Sequence, residues 1–141
     1  MYNMSQNESH DWFADAAESF VRYYFARSGF IVFGSSKWGA DCIIQDENGR
    51  KLAIEVKSQD NKCGLPACDK KVTRNGRGLR DKLKRVKADI YAEVWLKKEP
   101  MGMEDGVAEI KIYLWKVIDG YPSGRAFSNL RPDEIKRWVL D

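Results

Sequence analysis

The stretch "AIEVKS", residues 53–58, places Glu55 and Lys57 two positions apart within what otherwise reads as a β-strand. Side chains two apart on a strand share a face, so an acid and a base stand side by side there. A second acid, Asp41, opens the earlier strand-like run "DCIIQ". Paired carboxylates can hold a hard divalent cation such as Mg²⁺ together with water and a substrate phosphate. Such a cation acidifies water and polarises phosphorus, and a lysine adds positive charge where a transition state gains negative charge. The structural alternative is an ion-pair ladder on an exposed sheet face. Ile43 and Ala53 on the same face as Asp41 and Glu55 argue for partial cover instead.

Whether Asp41 meets Glu55 depends on the turn at "DENGR". A two-residue Asn48-Gly49 loop would set Asp41 opposite Val56 and leave both faces of the hairpin mixed. A three-residue loop with Gly49 left-handed sets Asp41 opposite Glu55. It also gathers Cys42, Ile44, Leu52, Ile54 and Val56 onto one apolar face, and this register is the expected one. Cross-strand neighbours have β-carbons ~5 Å apart. Two carboxylates ~4 Å apart repel by about 4 kcal/mol at an effective dielectric near 20, so a cation, a proton or a metal must offset them.

The elements that position these residues follow from periodicity and punctuation. A helix is expected over 10–28, with Ser9 as N-cap, Phe13, Ala16, Ala17, Phe20, Val21 and Tyr24 at helical spacing, and Gly29 as the stop. Glu18 lies on this helix within the otherwise apolar "FADAAESFV". Strands are expected at 30–33, 41–45, 51–57, 90–96 and 108–116, a loop over 58–77, a basic helix over 78–88 and a last helix over 132–140 opened by Pro132. This order makes an α/β fold around a mixed sheet of about five strands flanked by helices.

The chain of 141 residues is one domain, 1–141, with 43% hydrophobic and 32% charged residues, the balance of a folded soluble protein. No apolar run approaches the ~18 residues of a membrane span, and the N-terminus lacks the order of a secretory signal, so a cytoplasmic protein is expected. Three cysteines, Cys42, Cys63 and Cys68, fit reduced thiols better than a disulfide framework, and Cys63-x4-Cys68 has no second ligand pair for zinc. Net charge is only +3, but Lys70, Lys71, Arg74, Arg77, Arg80, Lys82, Lys84, Arg85 and Lys87 face the single acid Asp81 in their segment. That run reads either as a footprint for phosphate or as a solvated face. Ser35, Ser36, Lys37 and Trp38 form a small polar loop that could touch sugar, phosphate or an unstacked base.

Taken together, "GADCII", "AIEVKS" and the preceding helix acid resemble the PD-(D/E)XK nuclease superfamily, whose core is the restriction-endonuclease-like α/β/α fold. The likeness spans roughly residues 10–60. Glu18 matches the helix acid, Asp41 the acid of the second motif strand, Glu55 the acid of the third and Lys57 the lysine two residues on. Ala40 stands where the motif has its proline, a change many members tolerate. The resemblance implies Mg²⁺, with Mn²⁺ able to substitute, held by Asp41, Glu55 and the main-chain carbonyl of Val56, with Glu18 helping directly or through water. It further implies that Lys57 orients or deprotonates the attacking water. The expectation is a metal-dependent DNA endonuclease acting as a homodimer on duplex or branched DNA, nucleoid-associated when bound. Lys70, Lys71, Arg74, Arg77, Arg80, Lys84, Arg85, Ser35, Ser36 and Lys37 are the expected DNA contacts. Alternatives are a Holliday-junction resolvase as the specific activity, an RNA substrate, or an inactive nucleic-acid-binding module on the same fold.

Overall fold

Ala17, Val21, Tyr24 and Phe25 recur at helical spacing and are all buried, which defines the inner stripe of helix α1, Gln6–Arg27. The helix begins four residues before the expected start, so Ser9 lies inside it rather than capping it. At its end Gly29 takes φ +95°, Phe30 N–H donates to Phe25 C=O at 3.2 Å, and Gly29 N–H donates to Ala26 C=O at 3.1 Å. This is a Schellman stop, and the hydrophobic contact that accompanies such stops is present as an edge-to-face Phe25–Phe30 pair at 6.0 Å.

The computed structural model describes residues 6–60, 74–98, 107–128 and 130–141. Cys63, Cys68, Lys70, Lys71 and most of the expected 58–77 loop lie outside the described residues. After α1 come β1 (Ile31–Phe33), β2 (Cys42–Gln45), β3 (Lys51–Asp60), α2 (Arg74–Arg85), β4 (Ile90–Lys98), β5 (Val107–Ile118), β6 (Tyr121–Ser128) and α3 (Pro132–Leu140). The strands form one mixed sheet in sequence order. β3 and β4 pair in parallel, and every other neighbouring pair is antiparallel.

The β2–β3 register is that of the three-residue loop: Cys42 pairs with Ile54, Ile43 with Ala53 and Ile44 with Leu52. Gly49 has φ +82°, and Asp46 Oδ1 accepts the N–H groups of Asn48 and Arg50, both at 2.9 Å. Among the described residues the sheet has six strands rather than about five. The extra strand, β6, follows from Asp119 and Gly120, whose φ values of 53° and 81° make the two-residue turn that matches strand twist. α2 also starts earlier than expected, through Gly76 and Gly78. Packing of Leu79, Leu83 and Val86 on the sheet outweighs the ~1 kcal/mol per glycine that disfavours a helix there.

The sheet is covered on both faces. α1 and α3 pack Ala17, Val21, Phe25, Ile135 and Val139 onto Cys42, Ile44, Ile54, Val56, Ala92, Val94, Ile112 and Leu114. α2 covers the other face over Ala40, Tyr91 and Trp115. The central strand β4 is therefore buried from Ile90 through Trp95, as a strand covered on both sides must be. Among the described residues no helix is long and apolar enough to cross a membrane.

Candidate active site

β2 starts at Cys42, so Asp41 precedes the strand instead of opening it. Its carboxylate takes the place of the missing ladder partner, and Val56 N–H donates to Asp41 Oδ2 at 2.7 Å. In a strand the N–H and C=O of one residue point to the same side, so the Val56 carbonyl also faces past the end of β2. From α1, Arg22 donates to the Asp41 main-chain carbonyl at 3.1 Å and lies 3.7 Å from Glu18 Oε2. One sheet end thus receives Glu18 from the α1 side and Glu55 from the α2 side, with Asp41 between them.

Glu55 is 1% exposed. Lys82 Nζ, reaching in from α2, lies 2.8 Å from its Oε2. Among the described residues that ammonium is the cation facing the buried carboxylate, and it touches only one of its two oxygens. Burial raises Glu55 to about 7, Lys82 pulls against the rise, and the Asp41 charge adds to it. Glu18 is raised to about 7 as well, first by burial and then by hydrogen bonding to Asp41 and its charge, with Arg22 opposing. Lys82 itself is pushed up by Glu55. Three carboxylates, Glu18, Asp41 and Glu55, meet two cations there, Arg22 and Lys82, and their hard oxygen donors suit a hard cation. No group of three or more His, Cys, Asp and Glu side chains among the described residues is arranged to enclose a metal.

Lys57 is exposed on the same face as Glu55. In register its neighbour is Glu93, a fully buried acid that accepts from Tyr91 O–H at 2.7 Å and Trp95 N–H at 2.6 Å. Sequence reasoning missed two residues here. Glu93 is hidden within the apolar run "IYAEVW", although its donors sit two positions to either side on the same strand face. Lys82 was visible as part of the basic run, but helical spacing with Leu79, Leu83 and Val86 singles it out as the cation on the sheet-facing side.

The other expected contacts divide by what they already do. Ser36 staples its own loop: its hydroxyl accepts Ala40 N–H at 2.8 Å. Ser35 and Lys37 are exposed, as is Trp38 at 52%, whose ring has Lys87 Nζ 3.9 Å and Lys37 Nζ 5.3 Å from its centroid. Arg80 is held by Tyr121, stacking at 4.5 Å over its ring and donating to its hydroxyl. Lys84 and Arg85 are exposed. Arg74 and Arg77 lie in the first turn of α2.

No family model matches the chain, and no curated protein does. A solved structure titled "Crystal structure of SSO0001" is similar at 19% identity with a TM-score of 0.39, over 96% of this chain and 58% of that one.

Proposed function

We propose that the chain is a metal-dependent DNA endonuclease with a restriction-endonuclease-like core. The observation that carries this reading is the meeting of Glu18, Asp41 and the buried Glu55 where a strand ends and a backbone carbonyl turns outward, with Lys82 on only one oxygen of Glu55. Keeping several carboxylates together and out of water is costly unless enough positive charge meets them, and Lys82 meets Glu55 alone from one side. The donor set fits Mg²⁺, which takes one or two carboxylates and completes its shell with water and phosphate. Asp41, Glu55 and the Val56 carbonyl would hold it, with Glu18 bracing the outer side. Bound there, the ion would supply positive charge at the phosphate and acidify water.

The chain's own residues do the rest. Arg22 fixes the Asp41 backbone and counters Glu18. Lys57, exposed two residues beyond Glu55, orients the attacking water and meets the charge developing on phosphorus. Lys84 and Arg85, on the helix that carries Lys82, and the exposed Trp38 loop guide the backbone of duplex or branched DNA. Paired cuts require paired sites, so the acting unit is a homodimer.

A second reading, an inactive nucleic-acid-binding module, is favoured by the Lys82 contact, which gives Glu55 a counter-charge without metal. The test is cleavage of linear, supercoiled, single-stranded and four-way-junction DNA with Mg²⁺ or Mn²⁺. Cutting should be lost in Asp41→Ala and in Lys57→Ala, and Lys57→Ala should retain DNA binding in a gel shift. Binding without cutting of any substrate would sink the endonuclease and leave the module. Preference for the junction would assign resolvase activity.

A further inference from the structure

Lys82 is half in and half out: its side chain is 43% exposed, yet its ammonium lies 2.8 Å from a carboxylate that is 1% exposed. α2 is anchored by Leu79, Leu83 and Val86, so the lysine can leave Glu55 by rotating its flexible stem without moving the helix. Lys82 lies on Oε2 alone; a divalent cation taken up by the same carboxylate would sit within a few ångströms of the ammonium, where like charges repel strongly, so the metal loosens the hold of Lys82. Arg22 cannot take over as partner, because it is engaged with the Asp41 carbonyl and Glu18 on the opposite side.

We propose that Lys82 is a displaceable counter-ion: it holds Glu55 while no metal is bound, is expelled when a divalent cation takes that carboxylate, and then offers its ammonium to a phosphate lying along α2. The identity of the cation site rests on the endonuclease reading, while the exchange at Glu55 is a separate claim. Because a phosphate that captures Lys82 frees Glu55, metal and polyanion bind cooperatively, and linkage makes the effect reciprocal.

The test is calorimetric titration of Mn²⁺ into the wild-type chain, Lys82→Met and Lys82→Arg without DNA. It is then repeated with a short duplex in the non-cleaving Lys57→Ala background, with and without Lys82→Met. Lys82→Met should bind Mn²⁺ on the order of tenfold tighter, and Lys82→Arg should stay near wild type. Duplex should tighten Mn²⁺ binding only where Lys82 is present. If circular dichroism shows that the Met variant does not fold, Lys82→Gln, which keeps a donor toward Glu55 without the charge, carries the same expectation. Unchanged or weaker Mn²⁺ binding in the neutral variants overturns the exchange. No Mn²⁺ binding by any form overturns both the exchange and the metal site. Lys82-dependent Mn²⁺ binding with no DNA cleaved overturns the endonuclease alone.

Discussion

Glu18 and Glu55 both titrate near 7 in the folded protein, against an ordinary value of 4.5. Between those two values the folded chain keeps protons that the unfolded chain has released. Stability from this cluster is therefore complete below about pH 4.5 and is lost as the pH rises through about 7. Asp41→Asn removes the shared charge that raises both groups, so its thermal midpoint, measured in chelator, should fall less steeply across that window than wild type. Equal slopes would mean that Asp41 does not link the two acids. At this scale the placement of side chains was readable where strand parity sets the face, as at Glu55 and Lys57, and Asp41 comes beside Glu55 although it lies just before β2. It was opaque where a contact crosses elements, because the reach of Lys82 to Glu55 depends on how α2 lies on the sheet.

At the scale of elements, the tip of the β5–β6 hairpin and α2 support one another. Gly120 packs so closely that a β-carbon there would meet the Arg80 carbonyl and Lys84 Cγ, each at 3.1 Å, and its φ is +81°. Tyr121 meanwhile holds the Arg80 side chain. Arg80→Ala should therefore lower the thermal midpoint by a few degrees as well as weaken DNA binding. Lys84→Gln with Arg85→Gln should leave stability nearly unchanged while weakening binding and flattening its salt dependence, each lost phosphate contact reducing the slope by about one. A gel-shift salt series beside thermal melts separates the two. α3 was legible to the residue because Pro132 starts it, and the β2–β3 register was legible because only one choice sorts the apolar side chains. β6 was missed although Asp119-Gly120 is a strong hairpin signal. The start of α2 was missed because its glycines speak against the helix that tertiary packing imposes.

For the whole molecule, the order in which the site can be assembled follows from topology. Asp41 and Glu55 are brought together by a short hairpin, a local and fast event, whereas Lys82 arrives on the crossover that the parallel β3–β4 pair requires. The acids therefore meet before their counter-ion does. Metal-free refolding should be slower at pH 8 than at pH 5.5 in stopped-flow mixing, and Asp41→Asn should remove the difference. The same separation gives the site a history within each folding event: a carboxylate pair forms first, bare and mutually repelling, and α2 then brings the counter-ion that the pair lacked.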